Sequence, residues 1–65
     1  MSYRKAREAA GLSIKEVSEK LNVSRVSVWS WETGNWNPKL ETIKSMANLY
    51  GVTVDELLKE DANAQ

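Results

Sequence analysis

The sequence predicts an all-α fold of five short helices, and three kinds of observation support this prediction. Apolar residues recur at spacings of three and four, which is the periodicity of amphipathic helices. Ser13 and Thr53 are each followed three residues later by Glu, the capping-box pattern that begins a helix. Gly11, Asn22 and Gly51 stand where periodic stretches end, and these residue types accept the left-handed backbone common at helix ends.

The first helix is expected over residues 2–10. Ser2 can cap its beginning and Gly11 would end it. Most of its charged side chains fall on the outer side, which leaves a narrow apolar stripe. We expect the stripe that packs on the core to consist of Tyr3, Ala6 and Ala10.

The second helix is expected to begin at Ser13, with Glu16 completing the capping box. Its inward residues would be Val17 and Leu21, four residues apart. Asn22 then provides a sharp corner, because asparagine tolerates the left-handed backbone better than most residues. The pattern therefore predicts a helix, a tight turn and another helix.

The third helix, residues 24–32, begins at the cap Ser24 and has two faces of different character. Val28 and Trp31 are three residues apart and can both point into a core. Two further rows are not needed for packing and consist of Arg25 with Trp29 and Val26 with Ser30. A short helix with an exposed N-terminal part, braced by a preceding helix, is the arrangement by which a helix-turn-helix motif reads the DNA major groove.

Residues 33–38 are rich in turn formers and predict the longest loop. Pro38 would lie near the start of a fourth helix, where its missing N–H does no harm. Thr53 begins a short fifth helix, and residues 61–65 offer no apolar anchor, so we expect them to fray beyond a domain of residues 1–60. The apolar residues of the last two helices are Leu40, Ile43, Met46, Ala47, Leu49, Tyr50, Leu57 and Leu58. Leu57 and Leu58 would close the core, or Leu58 would pair with a second copy.

The composition excludes several functional classes. The 65 residues form one domain and include neither Cys nor His, so the usual zinc ligand sets are absent. The carboxylates are spread over helix surfaces and there is no glycine-rich phosphate loop, so we predict neither an enzyme nor a cofactor. No stretch approaches the roughly 20 apolar residues of a membrane span, which predicts a cytoplasmic protein without membrane contact.

The charges are balanced in number but unevenly distributed. Up to Trp31 there are six basic and three acidic residues, and from Glu32 onward there are three basic and six acidic ones. The basic part contains the third helix. Because steering depends on local potential as well as net charge, this part of the molecule can face phosphates despite a net charge of zero.

One further pattern extends over nearly the whole chain, from Tyr3 to Leu58. The residues that carry it are Gly11-Leu12-Ser13, Val17, Leu21, Val23-Ser24-Arg25, Val28, Trp31-Glu32, Gly34, Asn37-Pro38, Leu40-Glu41-Thr42, Ala47 and Val52-Thr53-Val54-Asp55-Glu56-Leu57-Leu58. Together these residues resemble the phage Cro/CI repressor-type helix-turn-helix domain, also called the XRE family. The resemblance implies a compact five-helix lambda-repressor-like domain that binds double-stranded operator DNA as a transcriptional regulator, typically a repressor, and commonly as a homodimer.

The resemblance also implies which side chains contact DNA. Members of the family reach base edges from the positions of Ser24, Arg25, Val26 and Ser30, and flanking groove or backbone positions are those of Ser27 and Trp29. Arginine suits guanine O6 and N7, valine suits a thymine methyl group, and a capping serine can touch a phosphate. The residues alone leave a second interpretation open, in which these are solvated surface side chains and Ser24 is only a cap.

Trp29 and Trp36 leave a second function open. Trp29 lies about 200° round the helix from Trp31 and should face away from the core. It would contact DNA or pack on the stem of Arg25, or it would form with Trp36 an apolar patch for a protein partner. The alternative function is therefore a protein-interaction module, or an antitoxin, on the same fold.

Two departures from the family pattern predict weaker DNA binding. Ile14 stands where members carry a glutamine that bridges a phosphate and the third helix. The loop after the third helix is Asn35-Trp36-Asn37, whereas this loop is commonly basic in the family. Fewer phosphate contacts predict lower affinity and a shallower dependence on salt.

Overall fold

The computed structural model describes residues 2–59 and confirms the all-α fold. Within this range there is no strand, and none of the helices is long and apolar enough to cross a membrane. The end of the domain at residue 60 and the fraying predicted for residues 61–65 lie outside the described residues. The five helices are α1 (Tyr3–Ala9), α2 (Ile14–Leu21), α3 (Arg25–Thr33), α4 (Leu40–Tyr50) and α5 (Val54–Leu58).

Four of the helices begin at a side-chain cap, as the sequence predicts. The capping oxygen in each case accepts a hydrogen bond from the backbone N–H three residues later. Both predicted capping boxes form, because the carboxylates of Glu16 and Glu56 accept in return from the backbone N–H of the cap. The start of each helix is thus determined locally. The caps are Ser2, Ser13, Ser24 and Thr53.

The corner between α2 and α3 is formed at Asn22, as predicted. Its φ of 57° and ψ of 47° are left-handed, and elsewhere in residues 2–59 only glycines have a positive φ. The N–H of Val23 donates to the carbonyl oxygen of Ser18 at 2.9 Å, which closes the end of α2. Three residues therefore suffice to connect the two helices.

The core draws on all five helices. Its most deeply buried large side chains are Val17 of α2, Val28 of α3, Met46 of α4 and Leu57 of α5. Trp31 is 8% exposed and joins them, which confirms the inward position predicted for it. Burial of each large apolar side chain contributes about 1.5–3 kcal/mol, so the orientation of α3 is strongly specified.

Three side chains do not lie where the apolar pattern places them. Ala10 is exposed because α1 has already ended at Ala9. Leu40 is 59% exposed because it is the first residue of α4 and precedes the turn that meets the core. Leu58 is 49% exposed because it lies about 100° round α5 from the buried Leu57, so only Leu57 closes the core.

A buried ion pair connects α1 to the end of α3. The guanidinium of Arg7 donates to both carboxylate oxygens of Glu32, and its third contact is with the carbonyl oxygen of Leu12 at 2.9 Å. The hydroxyl of Tyr50 is buried and has no hydrogen-bond partner among the described residues. Burial, reinforced by the negative charge of Glu32 and opposed by Arg7, raises the pKa of Tyr50 to about 12. Residues of α1, α3 and α4 thus come together around one ion pair that is shielded from water.

Candidate nucleic-acid interface

α2 supports α3 across the corner at Asn22, and these two helices share the most extensive packing in the described part of the molecule. Val17 and Val28 are both completely buried in the core that the two helices share. α3 also packs on α1, and the Arg7–Glu32 pair lies at that end of the helix. α3 is therefore held at both ends, while its remaining side is left to solvent.

The outward side of α3 carries Arg25, Val26 and Trp29. Val26 is 64% exposed, Trp29 is 51% exposed and Arg25 is also exposed. This arrangement follows from the burial of Trp31, because at about 100° per residue Trp29, Val26 and Arg25 lie about 120–160° from Trp31 around the helix. The predicted outward orientation of these three side chains is confirmed.

The predicted exposure of Ser30 is wrong. Its side chain is only 3% exposed. Four residues advance a helix by about 400°, so Ser30 lies about 40° beyond Val26, on the side toward Trp31. That offset carries it from the outer edge of the helix into the packed side. The contact with a base edge predicted for Ser30 is therefore withdrawn.

The structure adds Thr33, which the sequence predicts to lie in the loop after α3. Thr33 is the last residue of α3, is exposed, and lies one turn after Trp29 on the same side. Its hydroxyl donates to the carbonyl oxygen of Trp29 at 3.0 Å. In the sequence, Gly34 is the residue that indicates where α3 ends. Its φ of 82° is left-handed and terminates the helix directly after Thr33.

The beginning of α3 is a compact polar corner. The hydroxyl of Ser24 accepts from the backbone N–H of Ser27 at 3.1 Å, and the two serine hydroxyls lie 3.0 Å apart. Ser24 therefore acts as a cap, as the sequence predicts. The N–H groups of Arg25 and Val26 belong to the first helical turn and have no partner within the helix. Outward-pointing N–H groups at a helix N-terminus favour anions such as phosphate.

Charge on the outward side of α3 comes from a single residue. Arg25 is exposed and has no ion-pair partner among residues 2–59. Glu32, the other charged residue of α3, is held by Arg7 away from that side. The first turn contains no acidic residue, so no carboxylate of that turn repels an approaching phosphate. The surface thus combines one cation with apolar side chains.

Trp36 is also exposed. It lies in the connection between α3 and α4 and is 57% exposed. The following helix, α4, begins at Leu40, and its N-cap residue Lys39 makes no side-chain capping hydrogen bond, unlike the caps of the other four helices of the described region. The connection therefore presents an aromatic ring and one lysine, and lacks the run of basic residues expected from the family pattern.

Comparisons with known proteins agree with this geometry. Residues 4–59 match the family model described as a helix-turn-helix domain. The chain is 38% identical over 56 residues to the HTH-type transcriptional regulator DdrOP3 of Deinococcus deserti, covering 86% of this chain and 43% of that protein. It is 36% identical over 58 residues to the HTH-type transcriptional regulator ImmR of Bacillus subtilis, covering 89% and 46%.

A third relative is the HTH-type transcriptional activator BcrR of Enterococcus faecalis. It is 36% identical over 52 residues, which cover 80% of this chain and 26% of that protein. The chain thus spans less than half the length of each of these three relatives. No solved structure matches the chain significantly.

Proposed function

We propose that this chain, because it belongs to the helix-turn-helix domain family, binds double-stranded DNA in a sequence-specific manner and regulates transcription. The match to the family model and the identity to two regulators of that type confirm the family membership predicted from the residues. In the proposed complex α3 enters the major groove with its outward side toward the base pairs. A cytoplasmic location, where the operator DNA would lie, is part of the same proposal.

One observation supports this proposal above the others, namely that Trp31 is buried while Arg25 on the same helix is exposed. Trp31 is buried in the core, and Arg25 projects from the first turn into solvent. The N-terminal residues of the second helix of a helix-turn-helix are those that meet base edges. A guanidinium group there can donate two parallel hydrogen bonds to O6 and N7 of guanine.

The polar corner at the start of α3 supports a positioning role beside this base contact. Ser24 and Ser27 are next to the free N–H groups of the first turn. In our proposal these groups meet a phosphate, which fixes the depth and register of the helix without reading sequence. Val26 and Trp29 are exposed on the same side of α3 as Arg25.

We propose repression as the direction of regulation. A bound domain prevents other proteins from occupying the same DNA, whereas activation requires additional contacts with the transcription machinery.

A homodimer on a two-fold operator would place two copies of α3 about 34 Å apart. The exposed Leu58 in α5 is the candidate contact between the two copies. Sedimentation equilibrium of the wild type and Leu58→Glu tests that assembly.

A protein partner is the second candidate, and the exposure of two tryptophans favours it. Trp29 and Trp36 are each more than half exposed, which is unusual for so large an apolar side chain. In that role α3 would be covered by a protein and DNA binding would be reduced or lost. The quenching of tryptophan fluorescence by a protein, with no response to DNA, is its signature.

Selection of bound sequences from a random duplex pool tests the proposed function. We expect an enriched sequence, and Arg25→Ala should weaken binding to it by about 1–3 kcal/mol and relax the preference at one base pair. Arg4→Ala is the matched control, because it removes the same charge from an exposed position on α1. The absence of any enriched sequence would contradict the proposal.

A further inference from the structure

We propose that the groove between α2 and α4 binds a short zwitterionic peptide, whose carboxylate meets Lys20 and whose ammonium group meets Glu41. The groove has a volume of about 470 Å³, which lies within the range of small-molecule sites in proteins. None of its lining residues belongs to α3. The site is therefore separate from the surface that we assign to DNA, and the inference goes beyond the proposed function.

Two opposite charges line the groove, and the protein neutralises neither of them. Lys20, next to the end of α2, and Glu41, in the first turn of α4, are both exposed. Neither side chain has an ion-pair or hydrogen-bond partner among residues 2–59, and the two do not pair with each other. Glu16, one turn before Lys20, already accepts the backbone N–H of Ser13. A ligand that carries one negative and one positive group satisfies both charges at once.

The wall formed by α4 offers hydrogen-bonding groups that are also unused. The hydroxyls of Thr42 and Ser45 and the amide of Asn48 line the groove, and none of these side chains is hydrogen-bonded within the described part of the chain. At about 1.5 Å per residue, the wall from Glu41 to Asn48 is about 10 Å long, which is the length of three extended residues. Hydroxyl and amide groups are complementary to the N–H and C=O groups of a peptide backbone.

The groove also offers a limited apolar surface. Leu21 of α2 and Leu49 of α4 line it, and both are half-buried and pack against the core. Covering their exposed parts with small apolar side chains removes apolar surface from water. The lining thus fits a ligand that is charged at its ends, polar along its backbone and apolar in its side chains.

Acidic residues around the groove argue against a nucleic acid as its occupant. Glu41 lines the groove itself, and Glu16 and Glu19 line a neighbouring depression together with Lys20. Three carboxylates beside one lysine repel the phosphates of a nucleic-acid backbone. An ammonium group, in contrast, is attracted to the same carboxylates, which favours a peptide with a free N-terminus.

Titration of the ¹⁵N-labelled protein with the tripeptide Ala-Leu-Ala tests the inference, because each terminal charge of the peptide can be removed chemically. We expect saturable amide shifts at residues 20–21 and 41–49. Acetylation of the N-terminus removes the ammonium charge, and amidation of the C-terminus removes the carboxylate charge. Each modification should weaken binding about twofold to fivefold, the effect of losing one exposed charge pair.

Two variants identify which residue meets which end of the peptide. Glu41→Gln should bind the free and the acetylated peptide equally and should still distinguish the amidated one. Lys20→Met should show the opposite pattern. Glu19→Gln and Lys44→Met are the matched controls, because they remove the same charges from exposed positions that do not line this groove. Both controls should respond to the three peptides like the wild type.

The absence of saturable shifts at residues 20–21 and 41–49 with the free tripeptide would overturn the inference. Binding that neither acetylation nor amidation weakens would overturn it as well. The same holds if Lys20→Met and Glu41→Gln respond to the modified peptides like the wild type. None of these results bears on the proposed function, because the selection of DNA duplexes is carried out without peptide.

Discussion

Arg7 and Glu32, 25 residues apart in sequence, form a two-pronged ion pair between α1 and the end of α3. The Nε atom of Arg7 lies 2.6 Å from Oε2 of Glu32, and Nη2 lies 3.1 Å from Oε1. The two side chains are only 11% and 6% exposed. The hydrogen bond to Glu32 raises the pKa of Arg7 further, so the guanidinium stays charged. It fixes the end of α3 opposite to Arg25.

Arg7→Ala should strongly destabilise the domain, because it leaves the carboxylate of Glu32 buried without a counter-charge. We expect a loss of about 3–5 kcal/mol in the free energy of unfolding, measured by urea denaturation with tryptophan fluorescence. In Arg4→Ala, which breaks an exposed pair with Glu8 on the same helix, the loss should stay below about 1 kcal/mol. Equal effects of the two substitutions would show that burial of the Arg7 pair has no energetic consequence.

Substitution at Asn22 should depend on backbone freedom and not on side-chain contacts. The left-handed conformation of this residue costs an alanine roughly 1–2 kcal/mol, whereas glycine adopts it readily. Asn22→Ala should therefore lower the melting temperature, and Asn22→Gly should leave it nearly unchanged. A thermal denaturation series in which alanine is tolerated as well as glycine would contradict the assigned geometry.

Tyr50→Phe should change the response of the domain to alkali. The pKa of Tyr50 is raised from 10 to about 12 by burial, so the unfolded chain releases this proton more readily. The resulting stabilisation is complete below pH 10 and is lost as the pH rises toward 12. The wild type should accordingly lose more stability than Tyr50→Phe between pH 9 and pH 12.

Tyr50→Phe should be well tolerated at pH 7. The hydroxyl of Tyr50 is buried and has no hydrogen-bond partner within the described structure, so removing it leaves no other group unsatisfied. The free energy of unfolding should therefore be unchanged or slightly higher. A loss of more than about 1 kcal/mol would mean that the hydroxyl makes a stabilising hydrogen bond.

Glu16→Gln should remove an acid-sensitive contribution to stability. The hydrogen bond from the backbone N–H of Ser13 lowers the pKa of Glu16 from its ordinary 4.5, so folding favours the charged carboxylate. That contribution is present above pH 4.5 and disappears as the pH falls through the lowered pKa. Wild type and variant should differ at pH 7 and converge near pH 2. Glu19→Gln, on the same helix but outside the cap, is the control.

The beginnings of the helices could be predicted because each depends on residues only three positions apart. Ser13 with Glu16 and Thr53 with Glu56 are complete within one turn, so no tertiary information is required. The inward position of Trp31 followed from its spacing to Val28, since the two must share a face. Local spacing thus sufficed for the helices and for the side of α3 that faces solvent.

The remaining features depend on packing between distant segments. The Arg7–Glu32 pair joins residues from different helices, and nothing in either local sequence distinguishes Arg7 from the exposed Arg4. The sequence pattern places Ser30 on the wrong side because an i,i+4 row drifts by about 40°, and only the surrounding helices determine which side of the boundary is covered. Leu40 also fits the apolar spacing of its helix, but it is exposed because it lies at the helix terminus.

An amide chemical-shift map of the ¹⁵N-labelled protein with the selected DNA duplex tests directly whether α3 is the helix that reads DNA. The largest shifts should fall on residues 24–29, at the start and on the outward surface of α3, and should diminish as salt is added. Shifts absent from residues 24–29, or concentrated on another helix, would contradict the assignment of α3 as the surface that reads DNA.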